Sequence, residues 1–442
     1  MRNGTLSKLN YGWFAYAIAL LFTAYLLLFY EYPLLQDYPE WIYQSLVFND
    51  LLTRGPSDLF FIKHYPIPYT LSQLVMSGLL VFVSPLATSK IVFVVYMVAA
   101  LFLTRLAVSR FELNETVAAP FFVCVFVLNS GFWNGYIAYQ VGLMIFILYL
   151  CQSDERRIDP LVILLFSILL FFAHGLIYAT FCLTCGIYCL YNRRIWAPAV
   201  AMLPSVFLLA WYVWANDVSL INKPFALNGI VQFVTYKVYT AMKAGPYQDF
   251  IFNGVGDSQR LRPLYLLGIL VNLFFLIALV MCCASVLWKE GAKEIARRAE
   301  LVSSFIMMVI FLALPATLTG VVNPGERLLY PALILAACAL FKEGRVGNPL
   351  GYSLAATVIV GLLLSLVSIT APRWMRVSGV SAVAIGPRDL SAEVDGRELF
   401  GHRLMQFEEK MREAQRSWKA GDMPKLPLGF NTALLGFGVV SP

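Results

Sequence analysis

The sequence predicts an all-α, polytopic transmembrane helix bundle, and three observations carry the prediction. Of 442 residues, 60% are hydrophobic and 13% are charged, about half the charge that a soluble chain uses to wet its surface. Apolar runs that approach or exceed the roughly 18 residues of a spanning helix recur along most of the chain. Those runs are continuous, without the alternation of a transmembrane β-barrel, and a backbone in hydrocarbon that is not in a closed barrel has to be helical. About 11–13 spans fit the pattern.

The first run, 14–29, follows Arg2 and Lys8 as a signal peptide's apolar core would, but no small-residue cleavage site comes after it, so it reads as the first anchor. Further runs follow at 71–83, 91–103, 116–128, 137–150, 161–172, 176–190, 197–215, 264–287, 301–320, 328–340 and 352–369. Basic residues cluster at Arg105 and Arg110, Arg156 and Arg157, Arg193 and Arg194, 289–298, and 342–345, which marks those ends as cytoplasmic. The segments between them then face outward: 129–136, the turn at His174, 216–262 and 323–327. One region does not alternate. With 37–69 outside, two full spans at 71–83 and 91–103 return the chain to the wrong side; either one of them is re-entrant, or the 105–110 stretch faces out and a later short run fails to cross.

The formal net charge of +7 is explained by these clusters, which speaks for topology and against nucleic acid. The eight cysteines all fall in apolar stretches, so no disulfide framework is implied, and the Cys182/Cys185 pair reads as small buried hydrophobes. No internal repeat is visible, which weakens a transporter built from inverted halves. The chain divides into a transmembrane domain, 1–370, with outer loops 31–69 and 216–262, and a polar tail, 371–442, on the extracytoplasmic side. The tail carries a helix of alternating charge, 399–420, whose default reading is a solvated one.

The segment after the first span is the most informative. Pro39 suits a first helical turn and Glu40 suits its dipole, and Trp41, Ile42, Leu46, Leu51 and Leu52 recur at roughly helical spacing. The pattern predicts an amphipathic helix on the outer membrane surface. Asp37 and Glu40 lie where this helix meets the first span. A carboxylate partly desolvated at that boundary suits a general base toward a hydroxyl; the plain alternative for Asp37 is a helix N-cap, and the two roles are compatible.

Asp37 in its acidic-aromatic stretch, the surface helix, the 64–69 sequence His-Tyr-Pro-Ile-Pro-Tyr entering the next run, the 131–142 stretch with Asn134, Gly135 and Gln140, and Glu326, Arg327 and Tyr330 opening a late span together resemble the GT-C superfamily of membrane glycosyltransferases. The resemblance covers most of the membrane portion and not the tail. It implies transfer of a sugar from a polyprenyl-phosphate donor to a lipid, glycan or protein acceptor on the outer face of the plasma (inner) membrane. It makes Asp37 the base, with Glu40 the second acidic candidate. The family's adjacent acidic pair is not matched, since Tyr38 and Pro39 intervene, so no cofactor is predicted and a divalent metal, though possible, is not supported.

Such a donor brings a phosphate to the interface. Arg327, beside Asn323, Pro324 and Gly325, can hold a phosphate by paired hydrogen bonds, or it anchors a helix end by snorkelling. Lys63 and His64 are the other cations at this level. His174 is an ionisable group within an apolar stretch, and so either a site residue or a hydrogen bond across the bundle. Asn134 and Gln140 either read sugar hydroxyls or join helices. Two other classes stand beside the enzyme. A flippase or transporter of a lipid-linked glycan predicts ionisable residues spread through mid-membrane, and an envelope scaffold predicts Asp37 and Arg327 far apart.

Overall fold

A computed structural model describes residues 11–33, 35–215, 229–248, 262–295, 297–315, 317–318, 321–342, 349–374, 401–426 and 436–439. In chain order the elements are α1 (Tyr11–Phe29), α2 (Tyr38–Arg54), β1 (Phe60–Ile62), α3 (Thr70–Leu80), α4 (Pro85–Arg110), α5 (Glu115–Phe122), a π-helical turn (Val123–Val127), α6 (Ser130–Trp133), α7 (Ile137–Leu150), α8 (Asp154–Arg157), α9 (Pro160–Ala173), α10 (Gly175–Tyr191) and α11 (Trp196–Ala215). There follow α12 (Ile230–Met242), α13 (Arg262–Ile295), α14 (Ala299–Ala313), β2 (Thr317–Leu318), β3 (Val321–Val322), α15 (Pro324–Leu340), α16 (Pro349–Trp374), α17 (Gly401–Ala420) and β4 (Phe437–Val439). The predicted outer loop lies outside the described residues over 216–228 and 249–261, and the tail over 375–400, 427–435 and 440–442.

Six helical stretches are long and apolar enough to cross a bilayer: α1, α4, the 115–133 stretch, α11, 263–289 of α13 and 349–368 of α16. Shorter apolar helices, α3, α7, α9, α10 and α14, pack among them. The chain is therefore a polytopic all-α membrane bundle. The 115–133 stretch is its axis, with 94% of its apolar window buried, whereas α11 is 11% buried and leaves most of its apolar side chains exposed.

The two ends of the bundle differ in charge. At one end Arg110 lies 3.7 Å from Asp154, and the buried Arg157 meets Glu300 at 3.3 Å and donates to the Tyr188 hydroxyl at 3.0 Å. Leu113 bridges to Lys342, and Arg298 donates to the Ala339 carbonyl. The basic clusters read from the sequence at Arg110, Arg157, Arg298 and Lys342 thus meet at one end. The opposite end gathers the start of α2, the loop between α6 and α7, the His174 turn and the start of α15.

The ambiguity at 71–103 has a structural answer. α3 has 11 residues, about 16 Å of helix, half the hydrocarbon thickness. Tyr69, just before it, packs its ring on His174, and Leu80, its last residue, accepts a hydrogen bond from Trp418 of α17. Both termini of α3 therefore lie at the end opposite the basic clusters, and α4 begins there and runs to Arg110. The 71–83 run does not cross.

The tail is part of this end. α17 packs along α2, β4 pairs antiparallel with β1, and a satellite core joins Tyr43, Leu46, Phe48, Phe60, Leu80, Ala414 and Phe437. The charge alternation of the 399–420 helix suggested solvent on all sides. In the structure, Lys410, Met411, Ala414 and Ser417 form a buried stripe while Glu409, Arg412 and Arg416 face outward. The stripe is short and half polar, which hides it from a charge-pattern reading.

Candidate functional site

The site begins in the buried axis. Pro120 lies within α5 and the π turn follows it, and a proline and a widened turn both leave carbonyls without their helical donors. Polar side chains take up the carbonyls that follow: the Asn129 amide donates to Val125 O and Phe126 O at 3.1 Å each, and Trp133 Nε1 donates to Leu128 O at 3.0 Å. The Tyr96 hydroxyl is shared between Val127 O at 2.8 Å and Gln140 Oε1 at 3.2 Å. Asn129 Oδ1 caps α6 by accepting from Phe132 N and also accepts from Gln140 Nε2 at 2.6 Å. Gln140 is thus committed to holding this turn.

The turn in its place holds Asp37. Gln36 N donates to Trp133 O at 3.2 Å and Asp37 N donates to Asn134 O at 3.0 Å, so Asn134 contributes through its backbone. Gly135 sits between them with φ +72°, and a Cβ on it would lie 2.6 Å from Tyr38 N and 2.9 Å from Asp37 N. Only glycine suits both the conformation and the approach. Gly135→Ala is expected to push the α2 start away from the 131–136 loop and to destabilise the folded chain by about 1–3 kcal/mol; a thermal shift of less than a degree in nanodiscs would refute this packing. Asp37 itself is buried at 8% exposure and occupies the N-cap position of α2, but its side chain makes no capping hydrogen bond.

Arg327 enters from the first turn of α15, and its guanidinium carbon lies 4.7 Å from the centroid of the Tyr136 ring. Tyr136 is the junction. Burial, then the Asp37 carboxylate, push its hydroxyl up to about 12, while the Arg327 guanidinium opposes them. Asp37 and Arg327, 290 positions apart in the chain, therefore act on one tyrosine. His174 sits behind, with its ring edge-on to Tyr69 at 4.5 Å and to Tyr139 at 5.2 Å. Burial, and secondarily the Arg327 charge, hold it well below the ordinary histidine range, so the imidazole is neutral. Arg327 Nε and His174 Nδ1 are both buried without a hydrogen-bond partner.

A second layer fixes α15. Glu326 accepts from the Ser130 hydroxyl, and Lys243 lies 3.5 Å from its other oxygen. The Tyr330 hydroxyl donates to Ser130 Oγ at 2.9 Å, and the Tyr139 hydroxyl donates to Arg327 O at 2.9 Å. α12 docks on the same helix start: the Tyr236 hydroxyl donates to Asn323 Oδ1, and Lys237 is ringed by Phe233, Tyr236 and Phe311. At this end two cations, Arg327 and Lys243, face two carboxylates, Asp37 and Glu326, and the α15 N-terminus adds a partial positive charge.

The other candidates lie elsewhere. Glu40 is fully buried and its carboxylate is 2.7 Å from the Lys410 ammonium, an ion pair between α2 and the tail helix. Lys63 donates its backbone N–H to Gly436 O, beside the β1–β4 pair, and its ammonium lies 5.9 Å from the Tyr65 ring; His64 is exposed. Sequence reasoning passed over Tyr69, Tyr136, Glu326 and Lys243 as site residues. Tyr69, Tyr136 and Glu326 stand inside the stretches that carried the resemblance, but an aromatic in a membrane chain is no signal by itself, and Lys243 lay in an outer loop with no visible partner. Among the described residues, no group of three His, Cys, Asp or Glu side chains could hold a metal ion.

No known protein-family model matches the chain, and neither a curated protein sequence nor a solved structure matches it.

Proposed function

We propose that this membrane protein transfers a sugar from a polyprenyl-phosphate donor to a glycan, lipid or protein acceptor at the end of the bundle where Asp37, Tyr136, His174 and Arg327 converge. One observation carries the reading: two buried nitrogen groups, Arg327 Nε in the first turn of α15 and His174 Nδ1 at the start of α10, lack hydrogen-bond partners. A buried donor left unpaired is costly, and the oxygens of a phosphate satisfy both, if the neutral imidazole carries its proton on Nδ1. By the positive-inside rule the basic end is cytoplasmic, which puts the site on the extracytoplasmic face of the plasma membrane. Nucleotide sugars are cytosolic, so a sugar used on that face has to arrive on a lipid carrier. The buried ionisable side chains among the described residues sit at the two ends and in the tail cap, which suits an interfacial enzyme better than a translocation path through mid-membrane.

In the proposed reaction the acceptor hydroxyl gives its proton to Asp37 while its oxygen attacks the anomeric carbon of the donor. The bond from that carbon to the phosphate oxygen breaks with its electron pair, and the departing polyprenyl phosphate is held by Arg327 and His174. Tyr136, between Asp37 and Arg327, sets their separation. Glu326 and Lys243 hold the α15 start in place. Purified protein in nanodiscs, given a panel of polyprenyl-phosphate sugars, should release polyprenyl phosphate, and Asp37→Asn should lower turnover by about 100-fold or more with donor affinity kept. Equal turnover by Asp37→Asn and wild type would refute the assignment of the base.

Lys63 supplies a pH test of its own part in this reading. Burial lowers its ammonium from the usual lysine range to about 8, so its positive charge is present below that pH and lost as pH rises through it. If the charge assists a phosphate, donor affinity falls between pH 7 and 9, and Lys63→Arg, which stays charged, removes the fall. An unchanged profile in Lys63→Arg excludes Lys63 from the donor site.

A further inference from the structure

Away from the convergent site, a recess lies on the flank of α2. Its walls are the C-terminal half of α2, the turn after α3 and the C-terminal end of α17, and its volume is about 250 Å³, the scale of one or two sugar rings and small beside a drug-sized pocket. Three observations bear on its occupant. Asp50, on its α2 wall, is buried at 6% exposure, and its Oδ2 has no hydrogen-bond partner. The other oxygen, Oδ1, is only loosely met by Arg54 at 3.9 Å, whose side chain is half exposed. On the α17 wall the Trp418 indole is held by its Nε1–H, which donates to Leu80 O at 3.0 Å, while about a third of the residue stays exposed. Asn49 and Asp422 complete the polar rim.

We infer that this recess binds a saccharide, with a pair of its hydroxyls on Asp50 and Asn49 and an apolar sugar face against Trp418. The unpartnered Asp50 oxygen calls for a donor, and the neighbouring Asn49 amide and Arg54 guanidinium offer donors that call for an acceptor. A hydroxyl is both. An ammonium ligand answers only the first and leaves the Asn49 and Arg54 donors unmet. A rigid aromatic beside a carboxylate suits a sugar ring, which carries C–H groups on one face and hydroxyls on its edge. Asp37 lies 13 residues before Asp50 on the same helix, about 20 Å away at 1.5 Å per residue. On the transferase reading the recess seats a distal part of an acceptor glycan that wraps round α2, because 13 residues at roughly 100° each put Asp50 on nearly the opposite face of the helix from Asp37. That role as acceptor seat rests on the transferase reading; saccharide binding in the recess does not.

The test uses the full chain in nanodiscs and saturation-transfer NMR with methyl glucoside, methyl mannoside and N-acetylglucosamine as probes and ethylammonium as the amine control. At least one sugar is expected to bind. Asp50→Asn should weaken it by about tenfold, the loss of one charge-assisted hydrogen bond, and Val81→Trp, at an exposed rim position, should block it by filling the mouth. Release of polyprenyl phosphate with water as acceptor should stay within twofold of wild type in both variants, which separates failure of the recess from failure of the Asp37 site. No sugar signal, equal binding in Val81→Trp, or binding of ethylammonium in place of every sugar would overturn the inference.

Discussion

Arg327→Ala is expected to abolish detectable binding of polyprenyl phosphate and to lower turnover by at least about 100-fold, while the protein remains folded. The guanidinium is the strongest donor at the convergent end, and its Nε is buried and unpartnered, so the phosphate gains a charge-assisted bond that no neighbour replaces. Folding should survive because α15 is held by contacts that do not use this side chain. Ser130 and Lys243 meet Glu326, Tyr330 meets Ser130, and Tyr139 meets the backbone carbonyl of residue 327. Arg327→Lys keeps the charge without the planar fork and should recover only part of the affinity. Equilibrium binding of a fluorescent polyprenyl phosphate to nanodisc samples gives the answer; unchanged affinity in Arg327→Ala would remove the phosphate from this end.

Lys410→Met carries the largest expected effect on stability. Glu40 is fully buried and Lys410 nearly so, 2.7 Å apart, and removal of one member of a buried pair leaves an uncompensated charge, at a cost of about 3–5 kcal/mol. The cap formed by α2, α3, β1, α17 and β4 should open, seen as faster amide hydrogen exchange in α2 and α17 with the remote α11 and α13 spans unaffected. Lys410→Met with Glu40→Leu should restore most of the protection, because two apolar side chains replace the pair without a stranded charge. If the single variant exchanges like wild type, the tail does not clamp α2 through this pair. The same experiment reports on Asp37, since the helix whose N-cap is Asp37 is the one the tail holds.

Much of the bundle was legible because hydrophobic length and basic clusters are local signals. The apolar runs fall on the helices, and the clusters at Arg110, Arg157, Arg298 and Lys342 meet at one end as the positive-inside reading required. α3 stayed open in the sequence because an 11-residue apolar helix reads equally as a short span or a re-entrant one until Trp418 is seen bonded to its end. The surface helix after the first span was readable from Pro39, Glu40 and its apolar spacing, but its burial beneath the tail was not. That burial depends on Lys410, Tyr43 bonded to Leu426 O, and Gln73 bonded to Gly436 N, contacts between positions more than 350 apart that no periodicity encodes.

The convergent site was legible one residue at a time. Asp37, His174 and Arg327 were each conspicuous as a polar residue at a span boundary. Their meeting through Tyr136 and Tyr69 depends on the π turn after Pro120 and on Gly135, which together set how the 129–136 loop reaches α2. Gln140 looked like a sugar reader for the same reason that makes it structural: a polar side chain in an apolar stretch has to satisfy some buried partner, and here the partners are Asn129 and Tyr96, while Asn134 meets Asp37 through its backbone carbonyl.

Binding of a lipid phosphate by Arg327 and His174 is tested most directly by photo-crosslinking of nanodisc-embedded protein with a polyprenyl phosphate bearing a diazirine on its first isoprene unit, the adducts located by mass spectrometry. Adducts on the 64–69 segment, on Tyr136 or Tyr139, or in the first turns of α15, competed away by unlabelled polyprenyl phosphate and lost in Arg327→Ala, are the predicted result. Competed adducts at the opposite end, around Arg110, Arg157 and Arg298, with none near Arg327, would contradict it.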